Sequence, residues 1–100
     1  MNIRLAAFAA AALVGAFATS ALAAGPVTAK LQKPVETASK PVAGGAVFRC
    51  LGDTCVATMP SESTLTVRAC RELVRAVGPV SAYGSEAKQL DADKLAACNK

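Results

Sequence analysis

Histidine is missing from this chain altogether, and so is tryptophan. Without histidine the commonest acid–base side chain is gone, and no Ser-His or Cys-His nucleophile can be assembled within the chain. What remains for catalysis is thin. Asp91 and Asp93 stand close together but read as charges at the start of a helix, and Ser85 precedes Glu86 without a nucleophile motif. The protein is therefore expected not to be an enzyme, and no cofactor is expected. Charge is sparse as well. Eleven Lys and Arg against seven Asp and Glu leave a net charge of +4. That is too little for the dense basic stripe that nucleic-acid binding requires. Aromatics make up 4% of the chain, and Phe48 and Tyr83 are the two that follow the first 23 residues.

Those first residues carry a pattern of their own. Arg4 gives a positive start, Leu5 to Ala18 is an uncharged Ala-rich run, and Ala21-Leu22-Ala23 supplies a small-x-small site. This is the form of a secretory signal peptide over residues 1–23, with cleavage expected after Ala23. The alternative is a retained membrane anchor, since no charge follows Arg4 until Lys30. Against it, Gly15, Thr19, Ser20, Gly25 and Pro26 interrupt the run, and a spanning helix needs about 20 predominantly apolar residues. No cysteine lies near the cleavage site, so a bacterial lipid-anchor signal is not expected. The remaining 77 residues would be periplasmic or secreted, with membrane contact only through the leader before it is cut.

The leader takes 18 of the 53 hydrophobic residues with it, leaving 35 in the 77 that follow. A core that small, built mainly from Val, Leu and Ala, is marginal, and exported domains of this size usually add covalent staples. Residues 24–45 hold Pro26, Pro34, Pro41 and the Gly44-Gly45 pair, and read as an N-terminal arm or an edge strand. Val27, Ala29 and Leu31 alternate with Thr28, Lys30 and Gln32 and favour the strand, whereas Glu36 to Lys40 reads as loop. Residues 46–100 form the compact domain. Two β-prone runs, Ala46–Cys50 and Cys55–Thr58, flank Leu51-Gly52-Asp53-Thr54 and predict a hairpin. Beyond Pro60, with Ser61, Ser63 and Thr64 as N-cap candidates, a helix is expected from about Leu65 to Val77. Its apolar stripe is Val67, Cys70, Leu73, Val74 and Val77, and Gly78 is expected to end it as a left-handed cap. Val80 to Tyr83 reads as a strand, and Asp91 caps a last helix, Ala92 to Cys98. The expected fold is α+β: a small antiparallel sheet around a β-hairpin with two short helices, with Phe48 and Tyr83 buried against the helix stripe.

Four cysteines allow three pairings. Geometry favours Cys50–Cys55 across the hairpin and Cys70–Cys98 between the helices. Cys50 and Cys55 face each other directly in the hairpin register, where Cβ atoms lie near bridging distance. A four-cysteine zinc site is the competing use, but C-x4-C followed by gaps of 14 and 27 is not metal-ligand spacing, and no histidine completes the set. A third use is thiol–disulfide exchange at Cys50 and Cys55. Its usual mark, C-x-x-C at a helix start, is missing, with Arg49 alone nearby to favour a thiolate. Finally, Arg68, Arg71 and Arg75 repeat at i, i+3 and i+7. They make either an anion-binding stripe or an ordinary solvated helix face.

With these residues in place, the chain resembles a family of short exported proteins of alphaproteobacteria that bring no assigned activity with them. The matching features are Thr28-Ala29-Lys30-Leu31, Gly44-Gly45, Cys50-x-Gly52-x-x-Cys55-Val56, Val67-Arg68-x-Cys70-x-x-Leu73, Val77-Gly78 and Leu95-x-x-Cys98-Asn99. Phe48 stands where that family usually has Trp. The resemblance implies export and paired cysteines. The expected role is that of a non-enzymatic envelope protein, a binding or accessory structural module whose partner is an envelope protein or an anionic envelope component. A strand added to an uncovered sheet edge is one way to bind it. The alternatives are exchange chemistry at Cys50 and Cys55, and anionic-surface binding through Arg68, Arg71 and Arg75.

Overall fold

A computed structural model describes residues 25–100; the leader expected over residues 1–23 lies outside them. Five strands and two helices follow one another: β1 (Val27–Ser39), β2 (Val42–Ala43), β3 (Ala46–Val47), β4 (Arg49–Ala57), α1 (Val67–Val77), β5 (Val80–Gly84) and α2 (Ala92–Cys98), with a 3-10 turn at Glu62–Thr64. The architecture is α+β, with a small antiparallel sheet, two helices and two disulfides.

The alternation in β1 works as a half-buried strand should. Val27, Ala29 and Leu31 are buried while Lys30 and Gln32 face solvent. Its position differs from the expectation, however. β1 is the central strand, paired with β4 from Val27↔Ala57 to Lys30↔Thr54 and with β5 from Thr28↔Gly84 to Leu31↔Val80. Pro34 is compatible with this because it lies beyond the last β5 pair and inside a register shift between Lys30 and Val35. No ladder demands the N–H it lacks. Past that shift β1 continues through Glu36 to Ser39, the stretch read from sequence as loop.

Three pairs share one register: Ser39↔Cys50, Val42↔Val47 and Ala43↔Ala46. Between them the Phe48 N–H donates to the Pro41 carbonyl at 2.8 Å. Residues 39–43 and 46–50 therefore form one antiparallel ribbon, broken as a ladder only around Pro41, which has no N–H to give. Gly44 and Gly45 turn it with φ of 57° and 76°, the two positive values that a two-residue type I′ hairpin requires. The hairpin predicted between Ala46–Cys50 and Cys55–Thr58 is not formed as a ladder: Arg49–Ala57 is one strand whose two ends both pair with β1, and Ala46–Val47 pairs with β2. Cys50 and Cys55 have Cα atoms 4.0 Å apart, where five residues of straight strand cover about 16 Å. β4 thus doubles back at Gly52. Val47 and Arg49 from one arm line a surface hollow with Val56 and Thr58 from the other. The strand order is β4-β1-β5 in one sheet, and β2 with β3 forms a second, two-stranded sheet.

One face of the strands is covered. Ala46, Phe48, Cys50, Cys55, Ala57, Val27, Ala29 and Tyr83 are buried on it, together with Ala69, Cys70 and Leu73 of α1. Val67, Val74 and Val77, expected at the heart of the stripe, flank it half-buried. Phe48 and Tyr83 are fully buried with ring centroids 6.0 Å apart, and each contributes about 2 kcal/mol by leaving water. The N-cap of α1 is Thr66 rather than Ser61, Ser63 or Thr64. Its hydroxyl accepts from the Ala69 N–H at 3.1 Å and donates to the Ser63 carbonyl at 2.8 Å. Gly78 ends the helix as expected in place, though with φ 101° and ψ 179° rather than in the left-handed α conformation.

α2 is capped by Asp91, whose carboxylate accepts from the Lys94 N–H at 2.9 Å. Two devices hold this helix to the body. One is the Cys70–Cys98 bond to α1. The other is Asn99, whose amide pairs with both backbone groups of Val80: the Val80 N–H donates to Oδ1 at 2.8 Å, and Nδ2 donates to the Val80 carbonyl at 2.7 Å. Asn99→Ala is expected to cost about 2 kcal/mol, because it strands a half-buried N–H as well as removing a donor. A urea titration checks this, with Lys100→Ala as the neutral control.

Candidate functional site

The other face of the ribbon is exposed among the described residues. By the shared register Lys40 stands directly opposite Arg49, one step from the Ser39↔Cys50 pair. Val42 and Val47 form the next pair outward on the same face. These two valines, with Leu51 and Met59, are the large apolar side chains that the fold leaves in solvent, at 65%, 55%, 73% and 86% exposure. Two half-open hollows mark the face. One of about 260 Å³ lies among Ala38, Ser39, Lys40, Arg49, Cys50 and Leu51. One of about 310 Å³ is lined in part by Val47, Arg49, Val56 and Met59. Alternation forces this arrangement: burying Phe48 and Cys50 against the helices turns Val47, Arg49 and Leu51 outward. Of these residues sequence reasoning singled out only Arg49, and that as a neighbour of Cys50. The Gly44-Gly45 pair was the available signal, since a two-residue turn there sets the register that pairs Lys40 with Arg49.

The three arginines lie on α1, and Arg68 also lines a hollow of about 420 Å³ with the ribbon's turn at Gly44 and Gly45. All three line, with Val67 and Glu72, an open hollow of about 370 Å³. Arg68 is engaged by Glu72 at 3.9 Å, while Arg71 and Arg75 have no ion-pair partner among the described residues. Glu72 is also committed on its other oxygen, which accepts the Gly44 N–H at 2.7 Å.

All four cysteines are paired, Cys50 with Cys55 and Cys70 with Cys98. Two disulfides indicate an oxidising, extracytoplasmic environment. Among the described residues no helix is long and apolar enough to cross a membrane. Cys50 and Cys55 are both buried, and neither begins a helix, so an attacking thiolate has little access to them.

A polar clamp ties the ribbon's turn to α1. The Gly44 carbonyl accepts from Ser63 Oγ at 3.1 Å and from Thr64 Oγ1 at 3.0 Å. The buried Thr64 carbonyl in turn accepts from the Tyr83 hydroxyl at 2.7 Å. Burial, and to a lesser degree the Glu72 carboxylate, pushes the Tyr83 phenol well above its ordinary value. The folded state therefore holds this proton to higher pH than the unfolded chain does. The resulting stability is complete below the usual tyrosine pKa of about 10 and declines as pH rises beyond it. Tyr83→Phe is expected to cost about 1 kcal/mol at neutral pH, by leaving the Thr64 carbonyl without its donor, and to flatten the alkaline decline. Thermal melts of both proteins across the alkaline range check the sign.

The profile of a family of unknown function, DUF8200, matches residues 6–100. The chain belongs to that family. No curated protein and no solved structure matches it. Membership in DUF8200 brings no ligand or reaction, so a functional reading rests on the geometry of the chain's own residues.

Proposed function

We propose that this member of DUF8200 is a small exported, non-enzymatic protein of the cell envelope, periplasmic or secreted, acting as a binding module through the outer face of its ribbon. The observation that carries the reading is the set Val42, Val47, Leu51 and Met59, each more than half exposed among the described residues. In a chain with so small a core, apolar side chains of that size held in solvent mark an interaction surface. The Cys50–Cys55 bond and the Gly44-Gly45 turn hold that surface in one conformation, which lowers the entropy lost on binding.

A second reading is anionic-surface binding through Arg68, Arg71 and Arg75, favoured by the free guanidinium groups of Arg71 and Arg75. Exchange chemistry at Cys50 and Cys55 is the third. The burial of both residues speaks against it, and a reduction potential near about −180 mV rather than below about −300 mV would restore it.

Photo-crosslinking in intact cells separates the first two. A crosslinker at Val47 is expected to yield adducts with an envelope component, and one at Arg71 to yield none. Adducts at Arg71 alone would transfer the function to the helix, and an absence of adducts at both positions would contradict the binding module.

A further inference from the structure

Lys40 and Arg49 are out of place if stability is all the ribbon serves. Like charges directly opposed across an antiparallel pair repel, and neither residue has an acidic partner among the described residues, where the two ion pairs are Lys30–Asp53 and Arg68–Glu72. The nearest acid along the chain from Arg49, Asp53, sits 3.8 Å from the Lys30 ammonium. The repulsion is relieved when an anion lies between the two cations. The surroundings say what kind of anion. Val42 and Val47 stand on one side of the pair and Leu51 on the other, all outward and largely exposed. The two hollows here are half open to solvent and edged by exposed aliphatic side chains, so the face suits an extended surface rather than a small soluble molecule. The face also has no aromatic anchor of the kind that dominates protein–protein hot spots, since Phe48 and Tyr83, the aromatics of the described residues, are both fully buried.

We infer that the ribbon docks on the surface of an anionic bilayer, Lys40 and Arg49 holding a lipid phosphate between them while Leu51, Val47 and Met59 enter the headgroup–acyl boundary. This combination of cations with flanking aliphatic side chains is how peripheral proteins bind anionic membranes. The inference rests on the binding-module reading above and names its partner. It gives the folded domain a membrane contact that the sequence assigned to the leader alone.

The test is co-sedimentation of the oxidised protein with vesicles of phosphatidylcholine mixed with phosphatidylglycerol, and with pure phosphatidylcholine. Binding to the mixed vesicles alone is expected. It should weaken at least about tenfold on raising salt from low to molar concentration, which screens the charge term. The Lys40→Glu, Arg49→Glu double variant should lose binding by at least about tenfold, and Leu51→Ser should weaken it too. Arg71→Glu should leave it unchanged. All these positions are exposed, and an unchanged thermal melt certifies each variant as folded; Lys40→Gln with Arg49→Gln serves if charge reversal disturbs the ribbon. Failure to bind mixed vesicles overturns the inference, as does loss of binding on Arg71→Glu in place of the ribbon variant. Saturable perturbation of Lys40 and Arg49 resonances by inorganic phosphate, without vesicle binding, overturns it in favour of a free anion. If vesicles are not bound while a Val47 crosslink reaches a protein in cells, the bilayer falls and the binding module stands. If neither occurs, both fall.

Discussion

Replacing Cys70 and Cys98 together by alanine is expected to lower the melting temperature by about 15–25 °C, whereas the same change at Cys50 and Cys55 lowers it by about 5–10 °C. The difference follows from what each bond restrains. Cys70 and Cys98 are 28 residues apart in sequence, and closing a loop of that length removes roughly 3–4 kcal/mol of denatured-state entropy. In the folded protein the bond joins α1 to the seven-residue α2, a helix too short to persist alone. Its other ties include Asn99 on Val80, the half-buried Leu95, and the Leu90 N–H just before the helix, which donates to the Tyr83 carbonyl. Cys50 and Cys55 are five residues apart, and their loop is already held from outside. Ser39 pairs with Cys50 and Ala29 with Cys55, so β1 grips both arms whether or not the sulfurs are joined. Equal effects of the two pairs, or the reverse ranking, would mean that α2 contributes little to the cooperative unit. Differential scanning calorimetry on both variants decides the matter.

Gly44→Ala is expected to destabilise the protein by about 3 kcal/mol and its neighbour Gly45→Ala by about 1 kcal/mol, although both residues have positive φ. A methyl group on Gly44 would lie 2.5 Å from the Ala69 Cβ and 2.8 Å from the Thr64 Cα, so the turn must lift away from α1. Lifting it breaks the bond to Glu72 and the two from Ser63 and Thr64. On Gly45 the nearest atom is Ser63 Oγ at 3.8 Å, ordinary contact, so only the backbone cost remains. Chemical denaturation of the two variants side by side isolates the clamp from the turn. Similar losses for both would show that the clamp adds nothing.

Much of the fold was legible because local pattern and tertiary role agree. The 2-residue alternation of β1, the stripe on α1, the Asp91 cap and the opposed Cys50 and Cys55 each read directly as structure. The segment before the hairpin did not, and the reason is proline. Pro26, Pro34 and Pro41 argue against a central strand when counted, but where each one falls decides the matter. Pro34 sits in a register shift and Pro41 where the ribbon needs only its carbonyl. A count of prolines carries no such placement. The N-cap was missed for a related reason: Ser61, Ser63, Thr64 and Thr66 all qualify chemically, and the 3-10 turn that uses the first three depends on Gly44 packing beneath it. On the functional side, the arginine stripe was visible because it is periodic along one helix. The Lys40 and Arg49 pair was not, because it exists only across strands, nine residues apart, once Gly44-Gly45 has turned the chain.

The central claim is that a thinly cored sheet is held open-faced by two bonds made in an oxidising compartment. Alkylation of the protein in freshly lysed cells without reductant, followed by intact mass and peptide mapping, tests it most directly. The account predicts a chain beginning at Ala24 with no alkylated cysteine, and cross-linked peptides joining Cys50 to Cys55 and Cys70 to Cys98. A chain that retains its first 23 residues and takes up four alkyl groups would contradict it.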